Sequence, residues 1–120
     1  MTNRVQLTVP GRPIPLQRSR TRSGKHYLPK HSRAYRETVQ GCWLEAGRPS
    51  LGGVSFSMSA RFYGARANAD LDNLVKQLLD ALNELAFADD RQLTCMAGVH
   101  KLSADADGPR TEIELWPVSR

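Results

Sequence analysis

An apolar stripe between Asp70 and Leu85 constrains the fold more than any other feature of this sequence. Its members repeat at helical spacing and are Leu71, Leu74, Val75, Leu78, Leu82 and Leu85. At 3.6 residues per turn they share one face, so the segment predicts an amphipathic helix that must bury this face against other elements. A chain of 120 residues is long enough for one core, and we therefore expect a single domain over residues 1–120.

Alternating apolar and polar residues predict strands on both sides of this helix. Residues 2–9 and 54–63 alternate with period two, as half-buried strands do. Residues 94–101 and 111–116 predict two further strands. The turn-forming residues at 105–109 join these last two strands, which predicts that they pair as an antiparallel hairpin.

A second helix is predicted ahead of residues 54–63. Ser32 can cap its start, and Gly47 followed by Pro49 ends it. Its apolar face consists of Tyr35, Val39, Cys42, Trp43 and Ala46. The resulting order, β-α-β-α-β-β, predicts an α+β fold with a small mixed sheet and two helices.

Charge is distributed unevenly along the chain. Residues 1–50 carry ten Lys and Arg against two acids, a net charge of +8, whereas residues 51–120 carry seven against ten, a net charge of −3. Most of the excess lies in a predicted loop over about residues 10–31, which we call the basic segment. Such a segment suits the phosphates of a nucleic acid, although a solvated loop with excess charge has the same composition. The candidate DNA-binding residues are Arg18, Arg20, Arg22, Lys25 and Lys30.

Neither a membrane segment nor a disulfide framework is indicated. No apolar stretch approaches the roughly 20 residues of a membrane helix, and the N-terminus lacks a signal-peptide pattern. Cys42 and Cys95 stand far apart without a Cys-x-x-Cys motif, which argues against a disulfide or a zinc site. We therefore expect a cytoplasmic protein with reduced thiols and no membrane partner.

Acidic residues cluster along and after the predicted central helix. Asp72, Lys76 and Asp80 follow one another at i+4 steps beside the apolar stripe. Asp70 stands at the helix start, and Asp89-Asp90 follows shortly after its end. Carboxylates brought together repel one another unless a cation compensates, and oxygen ligands favour Mg²⁺ or Mn²⁺. Each acid also has a plainer interpretation, as a helix cap, an i+4 partner of Lys76 or part of a turn.

The sequence pattern around these acids resembles the RusA family of Holliday junction resolvases, endodeoxyribonucleases often carried by phages and prophages. The resemblance rests on Asp-Leu-Asp-Asn-Leu-x-Lys-x-x-x-Asp-Ala-Leu at residues 70–82 and Asp-Asp-x-Gln at residues 89–92. It extends to Val9-Pro10-Gly11, Pro13-Ile14-Pro15, Arg18-Ser19-Arg20 and Tyr27-Leu28-Pro29. The chain departs from related sequences at Leu16, where Lys is frequent, and at Ser19, where Pro is frequent.

The resemblance implies roles for individual residues. It implies that Asp70, Asp72 and Asp90 bind the divalent metal and that Lys76 is the fourth catalytic residue. Chemically, Lys76 can stabilise the charge that builds up on the phosphoryl oxygens. Asp80 and Asp89 are weaker candidates for the site, and Gln92 is left without an assignment.

The acids and the basic segment predict a Mg²⁺-dependent nuclease, with Mn²⁺ as a second suitable ion, and the resemblance implies that its substrate is a four-way DNA junction, resolved by paired symmetric nicks. Such nicks favour a two-fold homodimer, which the resemblance also implies. Trp43, Phe62 and Trp116 are candidate interface residues, although each is more often a core residue in so small a domain. Two rivals remain: a basic nucleic-acid-binding module without catalysis, and a phage nuclease that prefers flaps or forks.

Overall fold

The structure is a computed structural model that describes residues 4–17, 20–22, 24–27 and 29–118, with the backbone alone for 20–22 and 25–27. The strands are β1 (Val5–Pro10), β2 (Arg20–Arg22), β3 (Lys25–Tyr27), β4 (Phe56–Tyr63), β5 (Leu93–Leu102) and β6 (Arg110–Pro117). The helices are α1 (Lys30–Glu45), α2 (Leu71–Leu82) and a 3-10 turn (Asp90–Gln92). The α+β class, the two α-helices and the order β-α-β-α-β-β of the main elements are confirmed.

The main sheet is mixed and has the order β1-β6-β4-β5. β4 and β5 are parallel, and β6 lies between β1 and β4, antiparallel to both. The predicted hairpin between the last two strands is therefore wrong. The turn at 105–109 does form, with a bridge between Asp105 and Gly108, but α2 crosses back so that β5 adds to β4. A local turn signal specifies the reversal of the chain and leaves the pairing partner open.

The basic segment is more ordered than the predicted loop. β2 and β3 form a small antiparallel hairpin of their own, separate from the main sheet, with Arg20 opposite Tyr27. Gly24 in its turn has a φ of 76°, a left-handed conformation that glycine adopts without strain. At the base of the segment, the Leu16 amide donates to the Asn73 carbonyl at 2.9 Å, which connects it to the first turn of α2.

One face of the sheet carries the core. Buried residues alternate along β1 and β6 and along β4 from Met58 onward, and pairs such as Leu7 with Ile113 and Ala60 with Ile113 lie on that face. The helices cover it: the hydroxyls of Tyr35 on α1 and Thr111 on β6 lie 2.6 Å apart. Burial raises the pKa of Tyr35 to about 12. In the part of the chain that is described, no helix has both the length and the apolar character to cross a membrane.

The start of α1 differs from the prediction. The helix begins at Lys30, and Ser32, predicted as its cap, lies inside it and is fully buried. The Ser32 hydroxyl donates to the Pro15 carbonyl at 3.4 Å instead. Its burial against another segment is a tertiary contact that the capping pattern could not anticipate. The helix ends as predicted, with Gly47 at a φ of 92° directly after the last turn.

Candidate active-site groove

Asp70 sets the start of α2. It is the N-cap residue, and its Oδ1 accepts a hydrogen bond from the Asp72 amide at 3.0 Å. This is the bond that an Asp N-cap supplies to an otherwise unpaired helix donor. The capping interpretation of Asp70 is thus confirmed, and its carboxylate holds the backbone of the next acid in place.

A shallow groove of about 350 Å³ lies between α2 and β5. Its lining residues are Leu71, Asp72, Val75, Lys76, Leu79, Asp90, Met96 and Val99. The structure therefore brings three of the four predicted catalytic residues, Asp72, Lys76 and Asp90, to one surface. Asp70 does not line the groove and stands at its end, directly before the first residue of α2.

The charged groups of the groove have no ionic partners among the described residues. Neither Asp72 nor Lys76 forms an ion pair within 4.0 Å there, so the i+4 pairing considered from the sequence is not seen. Asp80 instead approaches Arg36 of α1, with 3.6 Å between Oδ2 and Nη2. Arg36 also donates to the fully buried Gln77 at 3.1 Å. Asp80 thus helps to join the two helices.

The two acids after α2 have different roles. Asp89 caps the 3-10 turn, accepting from the Arg91 amide at 2.9 Å and from its guanidinium at 3.1 Å. These bonds hold the pKa of Asp89 below its usual value. The hydrogen bond with Asp89, followed by partial desolvation and the negative charges of Asp89 and Asp80, raises the pKa of Asp90. Asp89 is therefore occupied by a structural contact, whereas Asp90 belongs to no ion pair in the described part of the chain.

Gln92, which the sequence left unassigned, is structural. Its side-chain oxygen accepts from the Asp89 amide at 2.7 Å, and its amide nitrogen donates to the carbonyls of Gly52 and Val54 at 2.8 and 2.7 Å. These bonds fasten the 3-10 turn to the segment before β4. The position of Asp90 thus depends on Gln92 through the backbone.

The groove is long relative to the reach of an aspartate. Asp72 and Asp80 are eight residues apart on α2, about 12 Å along its axis. Within the described ranges, no group of three His, Cys, Asp or Glu side chains is close enough to hold one metal ion. Asp70, Asp72 and Asp90 are therefore not gathered within a single chain.

The donor chemistry nevertheless suits a divalent cation. The carboxylates of Asp72 and Asp90 are exposed oxygen ligands, the type that Mg²⁺ and Mn²⁺ prefer. A cation in the groove would also relieve the repulsion among the acids around Asp90. One chain thus supplies suitable ligands but an incomplete set.

The predicted DNA-binding residues are only partly described. Lys30 is exposed at the start of α1. Arg20 and Arg22 lie on β2 and Lys25 on β3, but their side chains are outside the described part of the chain, as is all of Arg18.

The candidate interface aromatics lie mainly within the chain itself. Trp43 and Phe62 are core residues. Trp116 is half-buried, with the Arg4 guanidinium carbon 5.6 Å from its ring centroid. None of these three rings forms an exposed apolar patch.

Sequence reasoning missed the apolar wall of the groove. The side chain of Met96 on β5 is 56% exposed. Met96 and Val99 lie on the same face of β5, the one that is turned toward α2. The predicted hairpin would have placed β5 elsewhere in the sheet, so no sequence argument brought this strand to α2. An apolar side chain left exposed on an edge strand is itself a signal of an interaction surface.

The chain matches a known protein family over nearly its whole length. The family model described as Endodeoxyribonuclease RusA matches residues 10–116, a range that includes both walls of the groove and the basic segment. No curated protein gives a significant match to the chain. The matched range covers almost the whole fold, from the end of β1 to the end of β6. The chain belongs to the RusA family of endodeoxyribonucleases.

Proposed function

We propose that this protein is a structure-selective endodeoxyribonuclease that resolves four-way DNA junctions by metal-dependent phosphodiester hydrolysis. One observation carries the proposal: in a chain that belongs to this family, Asp72, Lys76 and Asp90 line the same groove. Among the described residues, none of the three forms an ion pair. The protein would act in recombination and repair of cellular or phage DNA. We infer a cytoplasmic location, where such DNA would be accessible to the protein.

Asp72 and Asp90 are the residues that would hold Mg²⁺, or Mn²⁺ in its place. Asp70 is the third proposed ligand, because its carboxylate stands directly before the groove and orients the Asp72 backbone. When bound, such an ion activates water and polarises a phosphate. The residues around it keep the ligands in place: Gln92 fastens the turn of Asp90, and Asp70 caps the helix of Asp72.

Lys76 lines the groove together with Asp72 and Asp90, one helical turn after Asp72. Its ammonium group is exposed and free of an ion pair among the described residues, so it remains available to a phosphate. We assign it the role of stabilising negative charge on the phosphoryl oxygens as hydrolysis proceeds. An ammonium already paired with Asp72 or Asp80 would have had to break that pair first.

A homodimer accounts both for two symmetric nicks and for the incomplete ligand set. β5 is the edge strand of the main sheet, and its exposed Met96 lies in the groove. A second copy packed along β5 would bury Met96 and bring its own carboxylates toward the groove. In this arrangement each site takes Asp72 from one copy and Asp90 from the other.

Mixing two inactive variants tests this arrangement. Equal amounts of Asp72→Asn and Asp90→Asn, unfolded together and refolded, give about half heterodimers, each with one intact composite site. Nicking should then return to about one quarter of the wild-type rate, mostly as single nicks. If each site is built from one chain, every site in the mixture carries a substitution and nicking stays absent.

The basic segment is proposed to bind DNA phosphates next to the groove. Its base is hydrogen-bonded to the first turn of α2 through Leu16 and Asn73. Replacing Arg18, Arg20 and Arg22 together by Ala should weaken binding of junction and duplex alike. The log-log salt slope should fall by roughly 0.9 for each phosphate that the variant no longer neutralises. A variant that binds duplex normally but no longer distinguishes a junction would instead make this segment the reader of the branch point.

The decisive experiment compares a labelled four-way junction, a flap, a fork and a matched duplex, each with Mg²⁺ or with EDTA. We expect cleavage of the junction with Mg²⁺ and none with EDTA. Binding without cleavage would favour the basic binding module. Preferential cleavage of the flap or fork would assign the same chemistry to a different branched substrate.

A further inference from the structure

Lys101 connects the two walls of the groove. It lies on β5, and its ammonium donates to the carbonyls of Ala67 and Ala69 at 2.9 and 2.8 Å. Those carbonyls belong to the segment that leads from β4 into α2 and ends at Asp70. A charged donor shared by two carbonyls is among the stronger hydrogen-bonding arrangements. Lys101 therefore holds the entry to α2 against β5.

The direction of the side chain follows from the sheet register. Lys101 pairs with Phe62, and Val99 pairs with Ala60, so both lie on the face of β5 that carries the core and the groove. Val99 lines the groove, and Lys101 lies two residues further along the same face. It thus stands just beyond the end of the groove at which Asp70 caps α2.

Backbone hydrogen bonds also hold the segment that contacts Lys101. Ala69 donates to the Arg66 carbonyl at 2.9 Å, and Gly64 donates to the Leu102 carbonyl at 2.8 Å. These bonds close the turn but leave the carbonyls of Ala67 and Ala69 to Lys101. An ammonium has three donors, and here two of them are used for backbone oxygens.

We infer that Lys101 is a positioning residue for the proposed reaction, fixing Asp70 and the first turn of α2 relative to β5. This inference rests on the proposed nuclease function. Asp72 and Lys76 belong to α2, whereas Asp90 directly precedes β5 in the 3-10 turn. In the proposed dimer, which packs along β5, a shift of the α2 entry relative to β5 therefore moves Asp72 and Lys76 of one copy relative to the Asp90 that the other copy supplies. Displacements of about 1 Å in such a site are enough to cost roughly a hundredfold in rate.

Lys101→Met tests the role because it keeps the aliphatic stem and removes the donors. Lys101 is exposed, so the core is not disturbed. The hydrogen-exchange rates of the Ala69 and Asp72 backbone amides, measured by NMR, should increase roughly tenfold. The junction cleavage rate at saturating DNA should fall roughly tenfold or more, with KM within about twofold of wild type.

Two further variants serve as controls. Lys101→Arg can still donate to both carbonyls and should recover most of the rate and the exchange protection. Arg48→Met removes the same charge from an exposed position after the end of α1 and should leave both readouts unchanged.

Three results would overturn the inference. One is unchanged exchange at Ala69 and Asp72 in Lys101→Met. Another is faster exchange with a normal cleavage rate. The third is a loss confined to KM and to the salt dependence, which would make Lys101 a phosphate-binding residue. A wild-type protein that cleaves no branched DNA would refute the nuclease proposal, and the exchange data would still show whether Lys101 holds the turn.

Discussion

The groove differs in its charge pairing from the open face of the sheet, which is the face that the helices do not cover. The carboxylates of Glu112 on the open face and Asp90 in the groove show the difference. Glu112 accepts from Arg61 and Arg110, each at 2.9 Å, and these bonds hold its pKa below the usual value. Asp90 has acidic neighbours and a raised pKa. Paired charges stabilise the fold, whereas uncompensated ones leave a surface ready for a cation or a phosphate.

The open face extends the paired pattern. Arg110 contacts Asp105 at 2.6 Å and lies with its guanidinium carbon 3.9 Å from the Tyr63 ring centroid. Arg4 pairs with Glu114 at 2.7 Å. Opposite charges lie across neighbouring strands, as in stabilising cross-strand pairs. This face is therefore charge-balanced, although the chain as a whole carries a net charge of +5.

The largest expected effect comes from Asp72→Asn. It keeps the size of the side chain and removes a proposed metal-ligand charge, so junction cleavage should fall by roughly a hundredfold or more. Folding and junction binding should be retained, because the carboxylate has no described ionic partner. Cleavage assays measure the loss of activity, and thermal unfolding measures the retained stability. Glu112→Gln serves as the control on the open face. Cleavage at near wild-type rate would remove Asp72 from the site.

Lys76→Met should rank next. Losing an electrostatic stabiliser should slow cleavage roughly a hundredfold, while losing a surface i+4 pair would cost only about 0.5 kcal/mol of stability and no rate. Single-turnover rates on a junction distinguish these outcomes, with Arg48→Met as the charge-matched control. Normal cleavage by Lys76→Met would show that cleavage does not require the ammonium group of Lys76.

Asp80→Asn sharpens the comparison on α2, the helix that forms one wall of the groove. If Asp80 acts mainly through its contact with Arg36, cleavage should fall only a few-fold and the unfolding free energy by less than about 1 kcal/mol. A loss of cleavage equal to that of Asp72→Asn would enlarge the proposed site to include Asp80.

Glu112→Gln should change stability and leave cleavage intact. Weakening its two bonds to arginine should cost about 1 kcal/mol at pH 7. Because its folded pKa is lowered, its contribution is present above pH 4.5 and disappears as the pH falls through the folded value. Urea unfolding at pH 7 and pH 3 should therefore show a difference between variant and wild type that shrinks in acid. A cleavage defect would mean that the open face takes part in function.

The last prediction concerns the pH dependence of stability at Tyr35, a core residue that belongs to neither surface. Its folded pKa of about 12 lies above the usual 10.0 of a tyrosine, so the wild type should become less stable as the pH rises from 10 to 12. Tyr35→Phe should cost about 1 kcal/mol at pH 7, because it removes the hydrogen bond to Thr111, and should lack this alkaline destabilisation. Unfolding curves at pH 8 and pH 11 test the difference. An equal alkaline destabilisation of both proteins would assign the transition to another group.

Residues whose environment is local were the most predictable. Asp70 was expected at the start of α2 and is its N-cap, because capping depends only on the next few residues. The ends of β4 and β5 lie within two residues of the predicted strands. Asp72 and Lys76 were expected beside the buried stripe and are exposed there, since helical periodicity decides which side of a helix is buried.

Contacts between distant segments were not predictable in this way. The partner of Asp80 is Arg36 rather than Lys76, because α1 packs against α2. The burial of Ser32 and of Gln77 has the same origin, with the Gln77 amide donating to the Ser32 carbonyl at 3.1 Å. Neither interaction leaves a periodic signal in the sequence.

The sequence by itself determined which chemical groups this protein has and on which elements they lie: acids and a lysine along one helix, and basic residues in one segment. Only the tertiary structure decided which strand faces that helix. β5 adds parallel to β4 because α2 crosses between them, and this pairing creates the groove, exposes Met96 and brings Lys101 to the α2 entry. Propensity and periodicity act over a few residues, whereas strand order is set by how the whole chain buries its apolar faces.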